Sequence, residues 1–66
     1  MQVIVNSEPT DVAEGSCLAD LIEQVGLGGS PVAAEVNKAL VPKRSHGECE
    51  LAEGDRIELV TLVGGG

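Results

Sequence analysis

Sixty-six residues make one small domain, too few to bury both a hydrophobic core and a deep substrate cleft, which argues against an enclosed active site. Eleven acidic side chains stand against Lys38, Lys43, Arg44 and Arg56, and the formal net charge of −7 opposes binding to nucleic acid or an anionic membrane while favouring a protein partner with a basic face. Phe, Tyr and Trp are absent, so Val, Ile, Leu and Ala must fill the core, and no run approaches the roughly 20 apolar residues that span a bilayer.

The chain opens without the basic and apolar regions of a signal peptide, so a cytoplasmic protein with reduced thiols is expected. From Gln2 to Asn6 the pattern alternates, with Met1, Val3 and Val5 on one face and Gln2 and Ile4 on the other, as in a strand with one buried side. Asn6, Ser7 and Glu8 favour a turn, and Thr10 to Ala13 can return as an antiparallel second strand. Gly15 breaks that strand, and Ser16 is a candidate N-cap for a helix whose apolar stripe is Cys17, Leu18, Leu21, Ile22 and Val25. Gly26 is placed to end the helix in a left-handed cap, before a loop through Gly28, Gly29, Ser30 and Pro31.

Val32 to Asn37 reads as a third strand, with Leu40 and Val41 as a short extended continuation ended by Pro42. Lys43 to Glu50 is polar and reads as irregular, with His46 a solvated loop residue. Glu53, Gly54 and Asp55 form a turn that launches a last strand from Arg56 to Leu62. This order predicts an α+β roll of the ubiquitin-like β-grasp type, a mixed four- to five-stranded sheet with one helix packed across one face. Its first and last strands lie side by side and parallel. The expected organisation is a single domain over residues 1–63 and a flexible glycine tail over 64–66.

Gly64, Gly65 and Gly66 follow the last strand, where no further element needs a turn. A run without side chains can enter a narrow channel, and Val63 to Gly66 fully extended reach roughly 13 Å. A carboxylate at such a tip is a poor acyl donor until an ATP-consuming enzyme converts it to a mixed anhydride, after which sulfur can displace the leaving group. The chain carries no catalytic triad, carboxylate pair in a cleft or phosphate loop, which suits a protein that serves as another enzyme's substrate and binds no cofactor itself. A frayed, functionless end is the alternative for the same glycines.

Val36-Asn37 followed by Val41-Pro42-Lys43, the turn Glu53-Gly54-Asp55-Arg56, the strand Ile57-Glu58-Leu59-Val60 and the ending Val63-Gly64-Gly65-Gly66 resemble the sulfur-carrier family of thiamine biosynthesis. The resemblance spans the chain. It implies that the terminal carboxylate, here Gly66 with Gly64 and Gly65 as the reactive tail, is adenylated by an E1-like adenylyltransferase and loaded with sulfur from a donor such as a cysteine desulfurase. The resulting thiocarboxylate would be used by thiazole synthase. The family more often has Arg directly after the proline, where this chain has Lys43 and then Arg44. The small subunit of molybdopterin synthase shares the fold and ending but is usually longer and has aromatic core residues. A ubiquitin-like modifier of lysines and an interaction domain with an inert tail also remain open.

In the last strand Ile57, Leu59, Thr61 and Val63 form the better core face, which leaves Val60 and Leu62 exposed beside the tail, a candidate docking patch together with Val63. Cys17 reads as part of the helix's apolar stripe and not as a nucleophile. Cys17, Cys49 and His46 fall one ligand short of a tetrahedral zinc site. The free protein is expected to be a monomer.

Overall fold

The computed structural model describes residues 1–62. Strand β1 (Gln2–Val5) and strand β2 (Glu8–Asp11) form a hairpin closed by Asn6 and Ser7, both at positive φ (49° and 72°). Positive φ at both central residues gives a turn whose twist matches that of the strands, and Asn tolerates it better than most residues. Because the turn takes only two residues, β2 begins at Glu8, two residues before the expected Thr10. Its end also differs: Val12 leaves the sheet and is buried, its N–H donating to the Met1 carbonyl at 2.8 Å.

Helix α1 (Leu18–Gln24) buries Leu18, Leu21 and Ile22. Cys17, not Ser16, is its N-cap. Tertiary pairing and a local cap decide this: Cys17 bridges to Glu50 and the Ser16 carbonyl accepts from Leu51 N–H at 2.9 Å, while within the first turn the Asp20 carboxylate accepts from Cys17 N–H at 3.0 Å. Gly26 ends the helix as expected, at φ 85°, with its N–H donating to Glu23 O and Leu27 N–H to Ile22 O, the bond pattern of a Schellman cap. Val25 becomes the C-cap and is 39% exposed, so it drops out of the buried stripe.

Strand β3 (Val32–Val36) and strand β4 (Ala39–Val41) form a second hairpin around Asn37 and Lys38, again both at positive φ. The segment at Leu40 and Val41 is therefore a strand in its own right, antiparallel to β3, and not a continuation of it. Lys43–Glu48 is a 3₁₀ helix where an irregular stretch was expected. It turns His46 inward to 8% exposure, with Nε2 donating to the Val41 carbonyl at 3.1 Å, so His46 is a buried, bonded residue and not a solvated one.

Strand β5 (Arg56–Thr61) completes a five-stranded sheet in the order β2-β1-β5-β3-β4. It lies parallel to β1 and antiparallel to β3, as the β-grasp arrangement requires. Val3, Val5, Val32, Ala34, Ile57 and Leu59 face Leu18, Leu21 and Ile22 across a wholly aliphatic core. Thr61 falls in the core-facing register, opposite the buried Val32, but is itself exposed.

Candidate functional site

The strand that carries the chain toward Val63 is the middle of the sheet. Two hairpin asparagines hold it. Asn37 accepts from Arg56 N–H through Oδ1 at 3.0 Å, donates its backbone N–H to Arg56 O at 2.7 Å, and donates through Nδ2 to Asp55 at 3.0 Å, which fixes where β5 starts. Asn6 donates through Nδ2 to Leu59 O at 3.2 Å and accepts from Leu59 N–H through Oδ1 at 2.8 Å. Each uses the left-handed turn conformation to aim its amide back at β5.

On the sheet face away from the helix, the outward residues of β5 are Arg56, Glu58 and Val60, followed by Leu62. Val60 and Leu62 are 57% and 53% exposed, as expected. Val60 sits opposite Ala33, and Leu40 on β4 is 69% exposed opposite Glu35, so these apolar groups share one face. Glu58 and Glu35 face each other across β5 and β3. Like charges in that position repel at close range. Val63 of the expected docking patch and Gly64, Gly65 and Gly66 of the expected tail lie outside the described residues.

Cys17 is displaced from the expected apolar stripe to the N-cap, where its thiol donates to Asp20 Oδ2 at 3.3 Å. The Cys17 N–H first, and its thiol second, hold the Asp20 carboxyl below the ordinary aspartate value. Burial pushes the Cys49 thiol up, with the Asp55 carboxylate adding to it, so Cys49 stays protonated at neutral pH. Both cysteines are free. Among the described residues no cluster of His, Cys, Asp or Glu is arranged to hold a metal ion, and no helix is long and apolar enough to cross a membrane. An open groove of about 240 Å³ lies on the helix side, lined by Ile22, Glu23, Val32, Lys43 and His46, away from the Val60 face.

The model of the ThiS family matches residues 2–66, all but the first residue. The chain belongs to the ThiS family. It is 38% identical over its full length to a thiazole synthase from Magnetococcus marinus, of which it spans only 20% of the length. It is 27% identical to the sulfur carrier protein ThiS of Escherichia coli, each chain covered in full. The crystal structure of a ThiS thiamine biosynthesis protein from Geobacter metallireducens superposes with a TM-score of 0.83 at 25% identity, again covering both chains completely.

Sequence reasoning missed three participants of this site. Leu40 went unnoticed because a three-residue strand shows no measurable alternation. Asn6 and Asn37 carried a turn signal, yet nothing local says that a turn amide will reach a strand 53 or 19 residues away.

Proposed function

We propose that this chain is a sulfur carrier of thiamine biosynthesis that works through the carboxylate of Gly66. The observation that carries the reading is the family match running through the glycine ending, on a fold whose middle strand leads into that ending. A carboxylate oxygen attacks the α-phosphorus of ATP in an E1-like adenylyltransferase, pyrophosphate leaves, and the acyl adenylate forms. The terminal sulfur of a persulfide, supplied by a donor such as a cysteine desulfurase, attacks the acyl carbon and expels AMP. A second thiol then attacks the donor sulfur of the acyl disulfide, taking the donor into a new disulfide and freeing the thiocarboxylate. The thiocarboxylate that remains then delivers sulfur to thiazole synthase.

The chain supplies presentation, not catalysis, in this scheme. Val60 and Leu62 with Leu40 offer a partner an apolar contact next to the tail, and the facing Glu35 and Glu58 offer a basic partner two carboxylates that no side chain of this chain neutralises among the described residues. Occurrence of a matching segment within a thiazole synthase polypeptide supports that enzyme as the acceptor, since joining two chains raises the effective concentration of an encounter they already make. ATP is consumed by the activating enzyme and none is bound by the carrier.

Intact-mass spectrometry of the protein from its native cells tests this. A population heavier by the replacement of one oxygen with sulfur, located at Gly66, is expected. Covalent adducts on lysines of other proteins in its place would favour a modifier, and an unmodified chain under all growth conditions would refute both.

A further inference from the structure

The backbone ladder between β1 and β5 is short. It pairs Ile4 with Arg56 and Val5 with Ile57, and then β1 ends because Asn6 turns into the left-handed region. Asn6 N–H still reaches Ile57 O at 2.9 Å, and one step further the side chain takes over from the departing backbone. Its amide accepts from Leu59 N–H at 2.8 Å and donates to Leu59 O at 3.2 Å, the donor and acceptor pair that another strand residue would have presented. Past Leu59, β5 is held from the β3 side only, by the pairing of Val60 with Ala33 and Thr61 with Val32 and by Leu62 N–H on Pro31 O at 3.0 Å. Among the described residues, Asn6 is thus the last two-sided hold on the strand.

We propose that Asn6 is a positioning residue for the chemistry at Gly66, clamping β5 at Leu59 so that the strand leaves the fold in one direction. The inference rests on the sulfur-carrier reading above. Leu59 and Gly66 are seven residues apart. Extended chain advances about 3.3–3.6 Å per residue, so the direction in which β5 leaves the sheet bounds where the carboxylate of Gly66 can reach. A misplacement of about 1 Å at a reacting group can lower a rate about 10²-fold. Asn6 lies in the β1–β2 turn and does not belong to the apolar face of Leu40, Val60 and Leu62, so its loss leaves docking contacts in place and acts on the reacting geometry.

Glycine is the informative replacement, because it accepts the positive φ of the turn and removes only the amide. Asn37→Gly is the matched control: it too sits at positive φ and loses bonds to β5, but at the Arg56 end, away from the tail. Each full-length variant is checked for folding by circular dichroism, then titrated in ATP–pyrophosphate exchange with the E1-like adenylyltransferase of the same organism. The expected result for Asn6→Gly is a kcat lowered at least tenfold with KM for the carrier within about twofold, while Asn37→Gly changes neither by more than twofold. Should Asn6→Gly not fold, Asn6→Asp carries the same test, since it keeps the acceptor for Leu59 N–H and sets a carboxylate oxygen against Leu59 O; a kcat loss that lessens as pH falls and the acid regains a donor is then expected. Equal behaviour of the Asn6 and Asn37 variants, or a loss confined to KM, overturns the inference while leaving the carrier reading intact. A wild-type chain that supports no pyrophosphate exchange overturns the carrier reading and the inference with it.

Discussion

Val60→Asp separates binding from folding. The Val60 side chain is 57% exposed on the outer face of β5, opposite Ala33, so just over half of its surface remains for a partner to cover. Full burial of a valine contributes about 1.5–3 kcal/mol, and the exposed share of that is about 1–2 kcal/mol. A carboxylate placed in the same contact loses this and must also be desolvated, which brings the expected weakening to roughly 10- to 100-fold in Kd. Within the free domain the change removes only partial packing and some strand preference, about 1 kcal/mol. Isothermal titration with the adenylyltransferase reads the first quantity and thermal unfolding the second. An unchanged Kd would refute the assignment of this face as the docking surface, and an unfolded variant would refute the placement of Val60 outside the core.

Leu21→Ala, at a fully buried position in the aliphatic core, is expected to lower unfolding free energy by about 2–5 kcal/mol in urea titration, enough to unfold much of so small a domain; a loss below about 1 kcal/mol would contradict the packing described. Cys17→Ala should leave thiocarboxylate formation intact by mass spectrometry, since the thiol is engaged as a donor to Asp20 at the helix cap; loss of the sulfur adduct would make Cys17 a participant. Asp20 has its carboxyl held below the ordinary aspartate value by Cys17, so the stabilisation it gives is fully present above the unfolded value of 3.8 and is lost as pH falls through the lower folded one. In acid titrations, Asp20→Asn should therefore be less stable than the parent at neutral pH and converge on it at low pH; a constant difference across that range would contradict the assignment.

Much of the fold was legible because local and long-range signals agree. Val3 and Val5 alternate with Gln2, Ile4 and Asn6 and both are buried; Leu18, Leu21 and Ile22 recur at helical spacing and line the core; Gly26 stands where only a left-handed residue closes the helix. What could not be read was decided between distant segments. The N-cap moved from Ser16 to Cys17 because Glu50 and Leu51 pair there, and the stretch around His46 folded into a 3₁₀ helix that brings the imidazole to the part-buried Val41 carbonyl. Polar composition alone gave no sign of either bond. Of the candidate site, the exposure of Val60 and Leu62 followed from strand parity, whereas Leu40 joined them only through the pairing of a strand too short to show a period.

The central claim is that the carboxyl group of Gly66 is chemically used and that the sheet exists to present it. The most direct test is complementation of a thiamine-requiring strain that lacks this gene with a chain truncated after Gly64, with folding of the shortened protein confirmed separately. No growth without added thiamine is expected, against full growth with the intact chain; growth of the truncated strain at the intact rate would contradict the account.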